Sequence, residues 1–142
     1  MSCFVDTSAL FALLDGDDRN HASARTVFFE LMEDHTTLVT SNYVLVESFA
    51  LLQRRIGIEA AEALQHRLVP ILHVKFVSPD LHRLGVAALL GASKRSLSLV
   101  DCVSFELMRS FGIACAFAFD RHFREHGFQT PRFDGVAKSP KP

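Results

Sequence analysis

The sequence predicts an α/β protein, a three-layer α/β/α arrangement around a central, mostly parallel sheet of four to five strands. Short apolar runs, SCFV (2–5), TTLVT (36–40), ILHVKFV (71–77) and IACAFAF (113–119), alternate along the chain with segments of helical spacing. That alternation is the pattern of parallel sheets with helical crossovers. The runs are apolar almost throughout rather than at every second residue, as in strands covered on both faces. A length of 142 residues with 49% hydrophobic composition supplies one sizeable core.

Each element carries its own signal. SCFV reads as the first strand, and a helix starts at about Ser8 and runs to Leu14. DGDDRN (15–20) is turn chemistry, because Asp and Asn side chains bond their own backbone. From His21 to about Asp34, residues Ala24, Val27, Phe28 and Leu31 recur at helical spacing. TTLVT is the second strand. SNYVLVESFALLQRRIG (41–57) is a helix capped by Ser41 or Asn42 and closed by Gly57. IEAAEALQHRL continues as another helix until Pro70, whose ring and missing N–H end it. ILHVKFV is the third strand, Pro79 to about Leu90 a helix, SLSLVDCVSFELMRSFG (96–112) a helix ending at Gly112, and IACAFAF the fourth strand. RHFREHG (121–127) gives one short helix and FQTPRF (128–133) an edge strand. DGVAKSPKP (134–142) lacks periodicity and is expected to be a disordered tail. Residues 1–133 are therefore expected to form a single domain, with no internal repeat.

Fifteen basic residues against sixteen acidic ones leave no global electrostatic footprint for nucleic acid. A nucleic-acid partner must then be held by a local patch or through a metal. Cys3, Cys102 and Cys115 each sit in an apolar run without CxxC spacing, and they read as buried free thiols of a reducing compartment. The first residues have no basic region, and Asp6 interrupts the apolar stretch, so no secretory signal is expected. No apolar run approaches the roughly 18 to 20 residues that span a bilayer. A soluble, cytoplasmic protein with no membrane partner is expected.

Two strands end on the same grammar, CFVDTSAL at Asp6 and CAFAFDRHF at Asp120. Ligands of parallel sheets gather at the carboxyl ends of the strands, where both acids lie. Each has an ordinary explanation as a helix N-cap, and Asp101, three residues after Ser98, fits a capping box. Glu47 is harder to explain so. It lies mid-helix in VLVESFALL with apolar residues on both sides, and Arg54 and Arg55 are seven and eight residues away, not both on its face. If the four acids converge, each pair about 5 Å apart costs on the order of 3 kcal/mol at an effective dielectric of 20. Such a cluster needs a cation or raised pKa values. With no His or Cys among the four, the donors are hard oxygens, suited to Mg²⁺ or Mn²⁺ rather than zinc. The chemistry that follows is hydrolysis of a phosphodiester by a metal-activated water.

FVDTSAL, VLVES, LSLVDCVSFELMRSFGI and AFAFDRHFREHGF, in that order from about residue 3 to 133, resemble the PIN domain, particularly the VapC-type toxins of toxin–antitoxin pairs. The resemblance implies a PIN-like fold and a divalent-metal-dependent endoribonuclease selective for single strands. It places Asp6, Glu47, Asp101 and Asp120 as the acidic quartet, with Asp6, Asp101 and Asp120 as direct ligands and Glu47 acting through a water. Ser8 would orient Asp6 or the scissile phosphate. It also implies a homodimer and a small antitoxin whose carboxy-terminal segment occupies the acidic site. The chain departs from the family pattern at Ala118, where relatives often keep Thr or Ser, and at His122, where many have a further acid. Those departures bear on a second fully liganded metal.

HFREH (122–126) fits the zinc-protease pattern H-x-x-E-H but is followed at once by Gly127, which marks a chance match. Phe123 is expected in the core and His122 at the rim of the site. His21, His35, His66, His73 and His82 lack ligand spacing and read as surface or helix-end residues. No glycine-rich phosphate loop is present, which argues against a nucleoside triphosphate. Lys94, Arg95, Arg121 and Arg124 are the basic residues near the proposed site, Arg121 the best placed for a phosphate. Two competing functions stand beside the nuclease. A catalytically silent PIN-like scaffold would bind RNA or a protein only. A receiver-like phosphoacceptor module would need an Asp directly after the third strand, whereas KFVSPD puts Asp80 three residues late.

Overall fold

In the computed structural model, which describes residues 1–131, four parallel strands form one sheet in the order β3-β2-β1-β4. They are β1 (Ser2–Val5), β2 (Thr37–Ser41), β3 (His73–Lys75) and β4 (Cys115–Phe117). Seven helices among the described residues complete the α/β architecture: α1 (Thr7–Leu14), α2 (His21–Glu33), α3 (Asn42–Arg55), α4 (Ile58–Ala63), α5 (Pro79–Ala92), α6 (Leu99–Ser110) and α7 (His122–Glu125). Cys3, Phe4 and Val5 of β1 and all of β4 are buried, as the near-continuous apolar runs require of strands covered on both faces. Phe4, Phe117, Phe123, Leu10, Leu52, Leu64, Leu107 and Met108 are the largest fully buried side chains.

The elements begin and end for local reasons. Of the two candidate caps of α3 it is Ser41 that acts, its Oγ accepting from Val44 N at 3.1 Å, while Asn42 Oδ1 accepts from Val77 N at 2.8 Å. Gly57 takes φ +137°, in the region that favours glycine. The helix expected over 58–68 is α-helical only to Ala63. Leu64–Leu68 widens into a π turn and Val69–Ile71 tightens to 3₁₀, because Pro70 offers no N–H and crowds the preceding turn. β3 is shorter than expected, pairing only Val39, Thr40 and Ser41 with His73, Val74 and Lys75 at the sheet edge. The expected edge strand at 128–133 is reduced to one parallel bridge, Cys115 with Gln129. Residues 132–133 of that expectation and the tail at 134–142 lie outside the described residues.

The cysteines require a correction. Register sets Cys3 of β1 directly opposite Cys115 of β4, Cα atoms 4.7 Å apart, and the two are joined as a disulfide; only Cys102 is a free thiol. A pair 112 residues apart has no spacing signature, so counting Cys motifs along the chain could not find it.

Two packing contacts set the frame of the site. Phe105 of α6 meets Phe123 edge-on at 5.0 Å, stacks on His126 at 4.3 Å and lies 5.7 Å from Phe128, which holds the chain after β4 against α6. α5 approaches α6 at Gly85, where an added Cβ would strike the Val103 side chain and lie 3.3 Å from Val103 Cα and N. Gly85→Ala is therefore expected to cost about 1–3 kcal/mol in chemical denaturation, despite alanine's better helix propensity.

Candidate active site

The DTS turn is built by the ends of two central strands. Asp6 N donates to Phe117 O at 3.0 Å, extending the β1–β4 ladder by one residue, and Thr40 Oγ1 donates to Val5 O at 2.8 Å. The Asp6 carboxylate then caps α1. Its Oδ2 accepts from Ser8 N at 3.1 Å and from Ser8 Oγ at 2.7 Å. Ser8 Oγ in turn accepts from Phe119 N at 2.9 Å, so one hydroxyl ties the end of β1 to the segment leaving β4. Asp6 is only 4% exposed.

Glu47 has no ion-pair partner among the described residues. It accepts instead from Thr7 Oγ1 at 2.6 Å, and Thr7 Oγ1 accepts from the buried Ser48 at 3.2 Å. The mid-helix acid thus leans on the residue next to Asp6. Thr7, 6% exposed, is a positioning residue that the sequence reading did not single out.

Asp101 sits at N3 of α6 in the capping box that its spacing from Ser98 predicted: Asp101 N donates to Ser98 Oγ at 3.0 Å and Ser98 N to Asp101 Oδ2 at 3.1 Å. Asp120 lies three residues past β4, and its Oδ1 accepts from His122 N at 3.0 Å. Capping and clustering coexist because each cap occupies one carboxylate oxygen. Oδ1 of Asp6 and of Asp101 and Oδ2 of Asp120 accept no hydrogen bond among the described residues.

The rim position expected for His122 is corrected. It is 7% exposed, its Nδ1 lies 2.7 Å from Asp120 Oδ1, and its Nε2 lies 3.3 Å from Ser96 Oγ. One donor atom each from Asp101, Asp120 and His122 falls within 4.8 Å of the others. The signal was present in the sequence, as a histidine at a position where an acid was expected. The H-x-x-E-H pattern forms no ligand set, because Glu125 pairs with Arg121 at 3.1 Å on the exposed face and His126 stacks on Phe105. Lys94, Arg95, Arg121 and Arg124 are all exposed.

Charge explains why these groups need a counter-ion. Burial pushes the Asp6 carboxyl up to about 7, opposed by the Ser8 hydrogen bonds and reinforced by the negative charges of Asp101 and Glu47. Asp101 is raised as well, mainly by burial, with Asp120 adding to it and Ser98 and His122 working against it. No Lys or Arg pairs with any of the four acids among the described residues. Asp101, Asp120 and His122, whose donor atoms lie within 4.8 Å of one another, fit a divalent cation, with Asp6 coupled to Asp101 and Glu47 to Asp6. Next to Glu47 opens a cavity of about 330 Å³ lined by Asn42, Tyr43, Val46, Glu47 and Val100, and Tyr43 Oη meets His82 Nδ1 at 2.5 Å.

Ser8→Ala removes the hydroxyl that holds Asp6 and links β1 to β4. We expect about 1 kcal/mol of lost stability in denaturant titration. The Asp6 carboxyl, deprived of a hydrogen bond that lowers it, should titrate higher still, as NMR of the metal-free protein would read.

Comparison with known proteins gives the following. The family model described as PIN domain matches residues 3–129. The chain is 38% identical over 126 residues to the 23S rRNA-specific endonuclease VapC20 of Mycobacterium tuberculosis, in the strains CDC 1551 / Oshkosh and H37Rv, covering 88% of this chain and 94% of the relative. The crystal structure of Mycobacterium tuberculosis VapC20, described as a Sarcin-Ricin loop cleaving toxin, superposes with a TM-score of 0.78 at 38% identity, covering 89% of this chain and 95% of that one.

Proposed function

The chain belongs to the PIN-domain family, and from that premise we propose that it is a divalent-metal-dependent endoribonuclease, the toxin of a VapBC-type toxin–antitoxin pair. The observation that carries this reading is the coupling of Asp6, Glu47, Asp101 and Asp120, from four separate segments, at the carboxyl end of one parallel sheet. Residues 1–133 are the nuclease domain in this reading. A ribosomal RNA loop is the favoured substrate, by similarity to a relative that is a 23S rRNA-specific endonuclease.

Asp6 and Asp101 hold the cation, Mg²⁺ or Mn²⁺, through the oxygens that capping leaves open, and Asp120 holds it through its carboxylate beside His122. Bound there, a divalent cation supplies charge neutralisation at a phosphoryl oxygen and a more acidic water. Glu47, steadied by Thr7, takes the proton from the attacking water at its second carboxylate oxygen. Ser8 keeps Asp6 aimed, and exposed Arg121 reaches a flanking phosphate, a contact without sequence information. Glu47 also lines the 330 Å³ cavity, where the Tyr43 ring offers a flat apolar surface to an unpaired base of the substrate. A homodimer acting in the cytoplasm, silenced by a small antitoxin, completes the proposal. No helix among the described residues is long and apolar enough to cross a membrane.

End-labelled ribosomal RNA fragments test the reading. Incubation with the protein and Mn²⁺ or Mg²⁺ should yield discrete internal fragments from a single-stranded or looped site. Intact RNA under all conditions would favour a silent scaffold instead.

A further inference from the structure

Among the described residues His122 is the one nitrogen donor inside the acidic cluster, and its geometry is that of a ligand. The side chain is 9% exposed, and Nδ1 is buried without a hydrogen-bond partner among the described residues, although it stands 2.7 Å from Asp120 Oδ1. A buried ring nitrogen left without a hydrogen bond is uncommon and calls for a reason. Two atoms bound at right angles to one ion, each about 2.1 Å from it, lie about 3 Å apart without bonding each other. The Nδ1–Oδ1 separation is near that value, and one donor atom each from Asp101, Asp120 and His122 lies within 4.8 Å of the others. The other side of the ring is already turned by Ser96, whose Oγ lies 3.3 Å from Nε2, and Phe105 packs Phe123 next to it into the core. The imidazole is thus oriented in advance, as ligating histidines usually are by a partner at the second nitrogen.

Resting on the dication site of the proposed function, we propose that His122 is a direct metal ligand through Nδ1, making a mixed nitrogen–oxygen site that selects a first-row transition dication over Mg²⁺. Mg²⁺ demands oxygen donors, whereas an imidazole suits the transition series from Mn²⁺ onward. A site of carboxylates alone would discriminate far less between Mg²⁺ and Mn²⁺.

The test uses the full chain, stripped of metal, with Mn²⁺ and Mg²⁺ alone as probes. Pulsed electron paramagnetic resonance of the Mn²⁺-loaded wild type should show the ¹⁴N coupling of a directly bound imidazole. Calorimetry should give a preference for Mn²⁺ over Mg²⁺ of about 100-fold, falling about tenfold in His122→Asp, which restores an all-oxygen set. Absence of the ¹⁴N coupling in the wild type, or an equal Mn²⁺/Mg²⁺ ratio in wild type and His122→Asp, would overturn the assignment. The spectroscopic arm needs no variant, so misfolding of His122→Asp cannot obscure it. Both readouts are binding measurements, independent of the ribonuclease reading: a protein that shows the coupling yet cuts no RNA keeps this site and loses that function.

Discussion

Asp6→Asn is expected to reduce RNA cleavage by about 10²- to 10³-fold, the scale on which removal of one pre-organised electrostatic group acts, while leaving the fold intact. Asparagine is as good an N-cap as aspartate. Its side-chain oxygen can still accept from Ser8 N and Ser8 Oγ, which are the only bonds the Asp6 carboxylate makes among the described residues. What disappears is the charge at the end of β1, and with it the cluster's hold on a dication. Circular dichroism and thermal denaturation alongside the cleavage assay separate the two effects. A variant that unfolds would assign Asp6 to structure; a folded variant that still cuts RNA at the wild-type rate would remove Asp6 from the site.

The same carboxylate makes the metal-free protein lose stability as pH rises. Asp6 titrates at about 7 in the folded chain against 3.8 ordinarily, because burial and two neighbouring acids oppose its charge. Below about pH 4 it is protonated in both states and costs nothing. Between pH 4 and 7 the unfolded chain releases the proton while the folded chain keeps it, so stability falls with rising pH. Above pH 7 both states are ionised and the whole difference persists, on the order of 4 kcal/mol. Urea titrations in chelator should therefore find Asp6→Asn and wild type nearly equal at pH 4 and the variant several kcal/mol more stable at pH 8. Saturating Mn²⁺ should restore the wild type and do little for the variant. Equal stabilities at pH 8 in chelator would mean that Asp6 carries no such burden.

Much of this was legible in the sequence because it rests on short-range patterns. The apolar runs of β1, β2 and β4 identify strands buried on both faces, Ser41 and Ser98 start their helices as capping chemistry demands, and Gly57 follows the end of α3. Asp101 stood out as a cap and as an acid; the capping box is present, and Ser98 uses only one of its oxygens. What was not legible depends on distant segments meeting. The Cys3–Cys115 bond follows from register between β1 and β4, and nothing within either strand announces it. His122 looked peripheral because it follows Asp120 by two residues in a short helix. The ring lies inward next to Phe123, which Phe105 packs against α6, and beside Asp120 and Ser96. Thr7 was hidden for a similar reason: its partners, Glu47 and Ser48, belong to α3.

The most direct measurement is cleavage of a ribosomal RNA fragment by the wild-type chain through one cycle of metal removal and return. Fragments should form with Mn²⁺, cease in excess EDTA, and reappear when Mn²⁺ is restored beyond the chelator. Fragments that keep forming at the same rate in EDTA would contradict a dication held by Asp6, Asp101 and Asp120 as the centre of this protein's chemistry.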